Sequence, residues 1–149
     1  MAATTTARNA CDVSVWLDDA TGVQRDISGS ANSVDFNFTQ EIGEFVVFGD
    51  HWTHRLCCGK DGNFSLNVVY TTTVNEGWDV VKNWLFGTEC ERRTFTVYIP
   101  NKNVGSDMFQ AEVIWDNITW TTDRGDAGPI MVTVSLPADG EVTHTTAAT

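Results

Sequence analysis

The chain has 149 residues, with 20 acidic against 9 basic side chains and a formal net charge of −11. That length suits one domain over 1–149 with its own hydrophobic core. The charge argues against a binder that offers phosphates a basic patch, but suits a protein that lets nucleic acid pass without sticking.

No apolar run approaches the roughly 18 residues of a membrane span. The first ten residues, MAATTTARNA, carry no apolar signal-peptide core, so export by that route is not expected. They and the closing EVTHTTAAT are small and Thr/Ala-rich. The reading expects both ends, 1–10 and 141–149, to be mobile tails.

Between the ends, period-two alternation dominates. CDVSVWL aligns Val13, Val15 and Leu17 on one face, and SVDFNF aligns Val34, Phe36 and Phe38. NFSLNVVY gives Phe64, Leu66, Val68 and Tyr70. One segment departs from this pattern: in TVNEGWDVVKNWLFG, Trp78, Val81 and Leu85 recur at helical spacing, with Val80 and Trp84 widening the stripe. Thr73 and Glu76 match a capping box and Gly87 follows the expected end, so a helix is expected over 75–86.

Alternation then resumes. RTFTVYI aligns Phe95, Val97 and Ile99, and DMFQAEVIW aligns Phe109, Ala111, Val113 and Trp115. NITW adds Ile118 and Trp120, and PIMVTVSL aligns Ile130, Val132, Val134 and Leu136. One-sided strands joined by turn-rich segments (DDATG, SGSAN, GKDG, PNKNVGSD, DRGDAG) point to a mainly β protein. The expected architecture is an antiparallel sandwich or open barrel of about 7–8 strands, with one flanking helix and a long loop.

That long loop is residues 39–62, TQEIGEFVVFGDHWTHRLCCGKDG. Loops beyond about 12–15 residues are uncommon and usually functional or disordered, and this one is too apolar for simple disorder. Phe45, Val46, Val47, Phe48 and Trp52 need covering. Two readings stand: an extra strand buried within the chain, or an arm that grips another subunit.

The order DISGSANSVDFNF, EFVVFGDHWTHRLCCGKDGNFSLNVVY and then a Trp-bearing helix resembles the major tail (tail tube) proteins of long-tailed bacteriophages. The matching phrases are Phe48-Gly49-Asp50, Gly59-Lys60-Asp61-Gly62 and Phe64-Ser65-Leu66, and the likeness runs over about residues 11–137. Cys57-Cys58 departs from it. The resemblance implies hexameric rings in which inner-sheet strands of six subunits join around a lumen. It implies rings stacked into a tube for DNA delivery, and a loop reaching neighbouring subunits. Tape-measure, tail-tip and tail-terminator proteins would be its partners, in a virion tail assembled in the host cytoplasm, with no membrane and no cofactor. Phe45 to Phe48, Gly49, Asp50 and Trp52 are then the stacking residues, and Asp35, Glu112 and Asp116 are candidates to face the lumen. A tail-tip or tail-completion ring of the same fold is the alternative within that resemblance.

Other chemistries fit less well. His51, His54, Cys57 and Cys58 crowd zinc-type ligands together, but His-x2-His beside adjacent cysteines is poor tetrahedral spacing. With no signal peptide, the four cysteines are expected as buried free thiols. Asp79, Glu89 and Glu91 are read as a solvated face rather than an acid pair. No phosphate-cradling glycine loop or nucleophile–histidine arrangement is present, so no enzyme activity is expected. The six tryptophans leave a carbohydrate-binding sandwich as a reading from another class.

Overall fold

The computed structural model describes residues 8–87, 90–122 and 128–148. Among the described residues, nine strands and one helix follow in order: β1 (Ser14–Asp18), β2 (Gln24–Asp26), β3 (Ala31–Phe45), β4 (His54–Val69), α1 (Gly77–Leu85), β5 (Arg93–Ile99), β6 (Asp107–Val113), β7 (Asn117–Thr121), β8 (Met131–Pro137) and β9 (Thr143–Thr146). They form two antiparallel sheets, a five-stranded β2-β1-β5-β6-β9 and a four-stranded β3-β4-β8-β7. Among the described residues, no helix is long and apolar enough to cross a membrane.

The alternation read in the sequence sets which faces meet. Val15 and Leu17, Phe64, Leu66 and Val68, Phe95 and Val97, and Val132, Val134 and Leu136 are all essentially inaccessible and share one core. Phe36 bridges the sheets, with its ring centroid 5.5 Å from Phe64 and 5.4 Å from Phe109.

The other face of the four-stranded sheet has a different chemistry. One row across it runs Ser33, Asn67, Thr133 and Thr119, the next Asp35, Ser65, Ser135 and Asn117. Asn37, Asn63 and Pro137 make a third row, and Val69, Met131 and Thr121 a fourth. Asp35 is the only ionisable side chain in these rows.

Helix α1 closes one end of the sandwich. Trp78 and Trp84 are buried, Trp78 edge-on to Trp120 at 4.4 Å. The capping box does not form: Glu76 is the N-cap and its carboxylate instead accepts a 2.6 Å bond from the Thr71 hydroxyl. The helix is fastened by Arg93, whose side chain is buried. Its guanidinium donates to the Val80 and Asp18 carbonyls (3.0 and 3.2 Å) and lies 5.0 Å from the Trp84 ring. Burial raises the Asp18 carboxyl above its ordinary pKa, partly offset by the Thr94 N–H.

Three expectations are corrected. The strands number nine, because the short β2 and β9 edges were not anticipated. The stretch 141–149 is no simple tail: β9 pairs with β6, and Ala147 is buried with its N–H donating to the Ser106 carbonyl at 2.8 Å. Backbone pairing orders a Thr-rich segment whose composition reads as mobile. The long loop is a ladder: Thr39 to Phe45 pair with Asp61 to His54, so Asp61-Gly62 is strand rather than turn. Glycine serves close approach there, since a Cβ at Gly62 would sit 2.7 Å from a Val142 methyl. Residues 1–7 of the expected N-terminal tail, Glu89, and most of the DRGDAG turn lie outside the described residues.

The β1–β2 turn is organised by Asp19. Its carboxylate accepts from the Thr21 hydroxyl (2.7 Å), the Arg25 guanidinium (2.8 Å) and the Thr21 and Val23 N–H groups. The Thr21 and Arg25 bonds hold its pKa well below the usual carboxylate range. A depressed folded-state pKa stabilises above the unfolded value of about 3.9, and that contribution is lost as pH falls further. Asp19→Asn is therefore expected to lower the urea midpoint at neutral pH, with the gap to the parent narrowing below about pH 4. A gap independent of pH would show that Asp19 acts through packing alone.

Candidate assembly interface

The fold leaves two features unpartnered: a long hairpin and two sheet edges. β4 pairs with β8 only over Asn63 to Val69, while its pairing with β3 continues out to Phe45–His54. About eight further residues of two-stranded ladder thus project beyond the sandwich, on the order of 25–30 Å. A register irregularity between Gln40 and Ile42 lies within the arm, a short way beyond the point where it leaves the sheet.

The arm exposes apolar side chains along its length. Phe38, Ile42, Phe45, Val47 and Leu56 are all exposed, and at the turn Val46, Trp52 and Phe48 are more so, with Phe48 fully accessible. The alternative of a strand buried within the chain is excluded by these exposures. Ile42, Phe38 and Leu56 were missed as arm residues. The signal was there, since apolar residues flank FVVFGD on both sides.

The tip is nonetheless organised, and Asp50 does it. Its carboxylate accepts from the Trp52 N–H at 3.0 Å and pairs with the His54 imidazole at 2.6 Å. The Asp50 N–H donates to the Val47 carbonyl, and the His54 ring stacks on Phe45 at 5.3 Å. Gly49 sits in the turn with open space around it. The Glu44–Arg55 pair (3.1 Å) ties the two strands below the tip. An exposed apolar tip with a fixed backbone loses less conformational entropy on docking than a mobile one.

The edges of the four-stranded sheet are β3 and β7. β7 reads NITWT, with no charge or proline, and the sandwich part of β3 carries only Asp35. Such edges lack the devices that usually discourage strand addition. The five-stranded sheet instead ends in β2 and β9, of three and four residues.

The three acids considered together in the sequence are not brought together. Asp35 lies on the outward face of the four-stranded sheet. Glu112 lies on the other sheet and accepts from the Thr94 hydroxyl at 2.6 Å, while Asp116 is exposed in the β6–β7 connection. The cysteines are free but exposed, not buried as expected: Cys57 and Cys58 stand on the projecting arm, outside any core. His54 is engaged by Asp50 rather than by a thiol. Asp79 pairs with Lys82 at 3.5 Å, and Glu91 lies 3.4 Å from Arg93.

No family model matches the chain, and no curated protein matches it. Solved structures do. A chain from the tail of an empty gene transfer agent particle, refined with C6 symmetry, aligns at TM-score 0.71 and 16% identity, over 93% of this chain and 99% of that one. A chain from the six-fold symmetrised baseplate of the anti-feeding prophage aligns at 0.76 and 10% identity, over 95% and 97%. The SPP1 tail tube aligns at 0.72 and 11% identity, over 95% and 80%. At these identities the shared property is the fold: a tail-tube fold, as the resemblance in the sequence implied.

Replacing Phe45 and Phe48 together with Asp is expected to leave the urea midpoint of the monomer unchanged while removing the long assemblies, but not small closed ones, in sedimentation velocity, because charge in a desolvated contact is costly. Leu66→Ala, in the core, is expected to cost about 2–5 kcal/mol. Long assemblies that survive the double change would show that the arm is not the stacking element.

Proposed function

We propose that this chain is the structural subunit of a tail tube in a phage-like particle, without catalytic activity. Copies close into a six-membered ring, and rings stack into a conduit for DNA. The observation that carries this reading is the ordered apolar hairpin projecting from a tail-tube fold, since nothing among the described residues covers it.

Ring closure is assigned to the free edges of the four-stranded sheet. β7 of one copy adds to β3 of the next, a heterologous contact that closes when its rotation divides the circle. Closure removes both edges. The C6 symmetry of the gene transfer agent tail supports six copies. The inner face of that sheet is already packed in the sandwich, so closure turns the Ser/Thr/Asn rows toward the lumen. Asp35 is then the lumen acid, and Glu112 faces outward. The arm provides the second contact, to the adjacent ring, through Phe45 to Phe48, Gly49, Asp50 and Trp52.

The tube would be bounded by tail-tip and terminator proteins and built around a tape-measure protein, in a virion tail assembled in the host cytoplasm. The likeness to a terminating cap and a tube terminator of injection systems (TM-score 0.74 for each) supports a place among such components.

Electron microscopy of the purified protein at rising concentration tests the reading. Six-fold rings that lengthen into tubes are the expected outcome. Rings that never stack would favour the tail-completion alternative, and uniform small particles at the highest concentration would refute self-assembly.

A further inference from the structure

The core-facing side of the four-stranded sheet is finished in its middle and unfinished at both edges. One row across it runs Val34, Leu66, Val134 and Ile118, and the next runs Phe36, Phe64 and Leu136. The members on the two central strands are essentially inaccessible. Those on the edge strands, Val34, Phe36 and Ile118, are only partly buried. Further along the same edges, on the same side, Phe38 stays 51% exposed and Trp120 41%. Space stands open beside β3. A cleft of about 460 Å³ is lined by Phe38, Phe109 and Val142, and a groove of about 700 Å³ by Val34, Phe36 and Ile99.

Resting on the tube reading above, we infer that β7 of a second copy completes this core. Its Ile118 and Trp120 enter the layer beside Phe36 and Phe38, so ring closure fuses hydrophobic interiors and not only sheet edges. The topology favours that strand. Neighbours in the order β3-β4-β8-β7 are all antiparallel, so β7 runs opposite to β3 and can extend the sheet in the same sense. Opposed residues of an antiparallel pair point to one face. Continuing the pleat therefore brings the core-facing side chains of β7 into the layer of those on β3. Trp120 is already held, edge-on to Trp78 at 4.4 Å and 5.2 Å from Tyr70. A side chain fixed beforehand loses little entropy on docking. A junction of two β3 edges would also cover Phe36 and Phe38. It would bring two copies of Asp35 to one seam, whereas β7 carries no charge, and it would leave both β7 edges bare.

Sedimentation velocity and electron microscopy test this on three single changes. Phe38→Asp and Ile118→Lys lie on the core-facing sides of β3 and β7, and Thr119→Lys on the outward side of β7. Each of the first two is expected to need at least about tenfold more protein than the parent to form rings, because a charge would enter an apolar layer. Thr119→Lys is expected to assemble as the parent does. An equimolar mixture of the Phe38→Asp and Ile118→Lys chains is expected to recover rings at parent concentrations. In alternating order, one junction keeps both parent side chains and the next sets the introduced acid beside the introduced base. Unchanged urea midpoints show that the variants fold. If either midpoint falls, Phe38→Ser and Ile118→Thr replace them and are expected to raise the concentration needed for rings in the same direction.

Rings that form at parent concentrations from any of the core-facing variants would overturn the inference. So would a mixture of folded variants that stays monomeric. Thr119→Lys losing rings as fully as Ile118→Lys would show that the strand edge matters and the core side does not, which also overturns it. Discrete dimers sensitive at Phe38 but not at Ile118 would assign the junction to two β3 edges, with the same consequence. Failure of the parent itself to form rings is a separate result, seen before any variant is compared, and refutes the tube reading directly.

Discussion

The pairing of β3 with β4 is the constraint on which the rest of the molecule depends. Within the sandwich its register is fixed by burial: Val34 opposite Leu66 and Phe36 opposite Phe64 face the core. A slip of one residue would turn each of these side chains to water. The same ladder then continues outward with no core beneath it. The arm therefore inherits its register from the sandwich, which brings Phe45 opposite His54 and places Asp50 to hold the turn. Gly62 sits at the changeover, where Val142 closes on the backbone too tightly for any side chain.

The two ends of the sandwich are unlike. At one, α1 seals the core with Trp78, Val81 and Trp84, and the buried Arg93 links it to the five-stranded sheet. That seal holds two polar atoms without partners, the Arg93 Nε and one Asp18 carboxylate oxygen, which is a real cost in a dry interior. The other end carries the arm. Around its root Phe38, Phe109 and Val142 line a cleft of about 460 Å³. A subunit sealed at one end and reaching from the other is polar along its own axis. Copies related by translation along that axis can repeat one heterologous contact without limit, which a two-faced symmetric subunit cannot.

Much of this was legible in the sequence, for a physical reason. Buried one-sided strands must alternate, and Val15, Leu66, Phe95 and Val134 do so with few exceptions. The helix was legible because Trp78, Val81 and Trp84 face the same core. What failed were segments whose structure comes from partners rather than pattern. The Thr-rich β9 is a strand because β6 offers it backbone bonds. The arm read as loop because GKDG, with Gly59 and Gly62, looks like a turn, and because neither of its faces is buried, so no clean alternation marks it. Cys57 and Cys58 were misplaced for the same reason, since a thiol is expected inside only where there is an inside. The exposed run Phe45 to Phe48 stood out in the sequence by its apolarity. The polar rows of the outward sheet face were not legible as rows, because they join strands distant in sequence.

Exposed apolar surface and high net charge oppose one another in this chain, and their placement shows how both can serve one assembly. A fully accessible Phe48 beside Trp52 is a liability in a free subunit. A net charge far from zero keeps free subunits apart. The arm carries acids of its own, and two of them are already engaged, Glu44 by Arg55 and Asp50 by His54. Docking the tip therefore does not require burying those carboxylates bare, which would cost far more than the apolar contact returns. Within the sandwich, the free edges carry one charged side chain between them, Asp35 on β3. Charge is sparse on those edges and concentrated elsewhere, along the arm and around the β1–β2 turn.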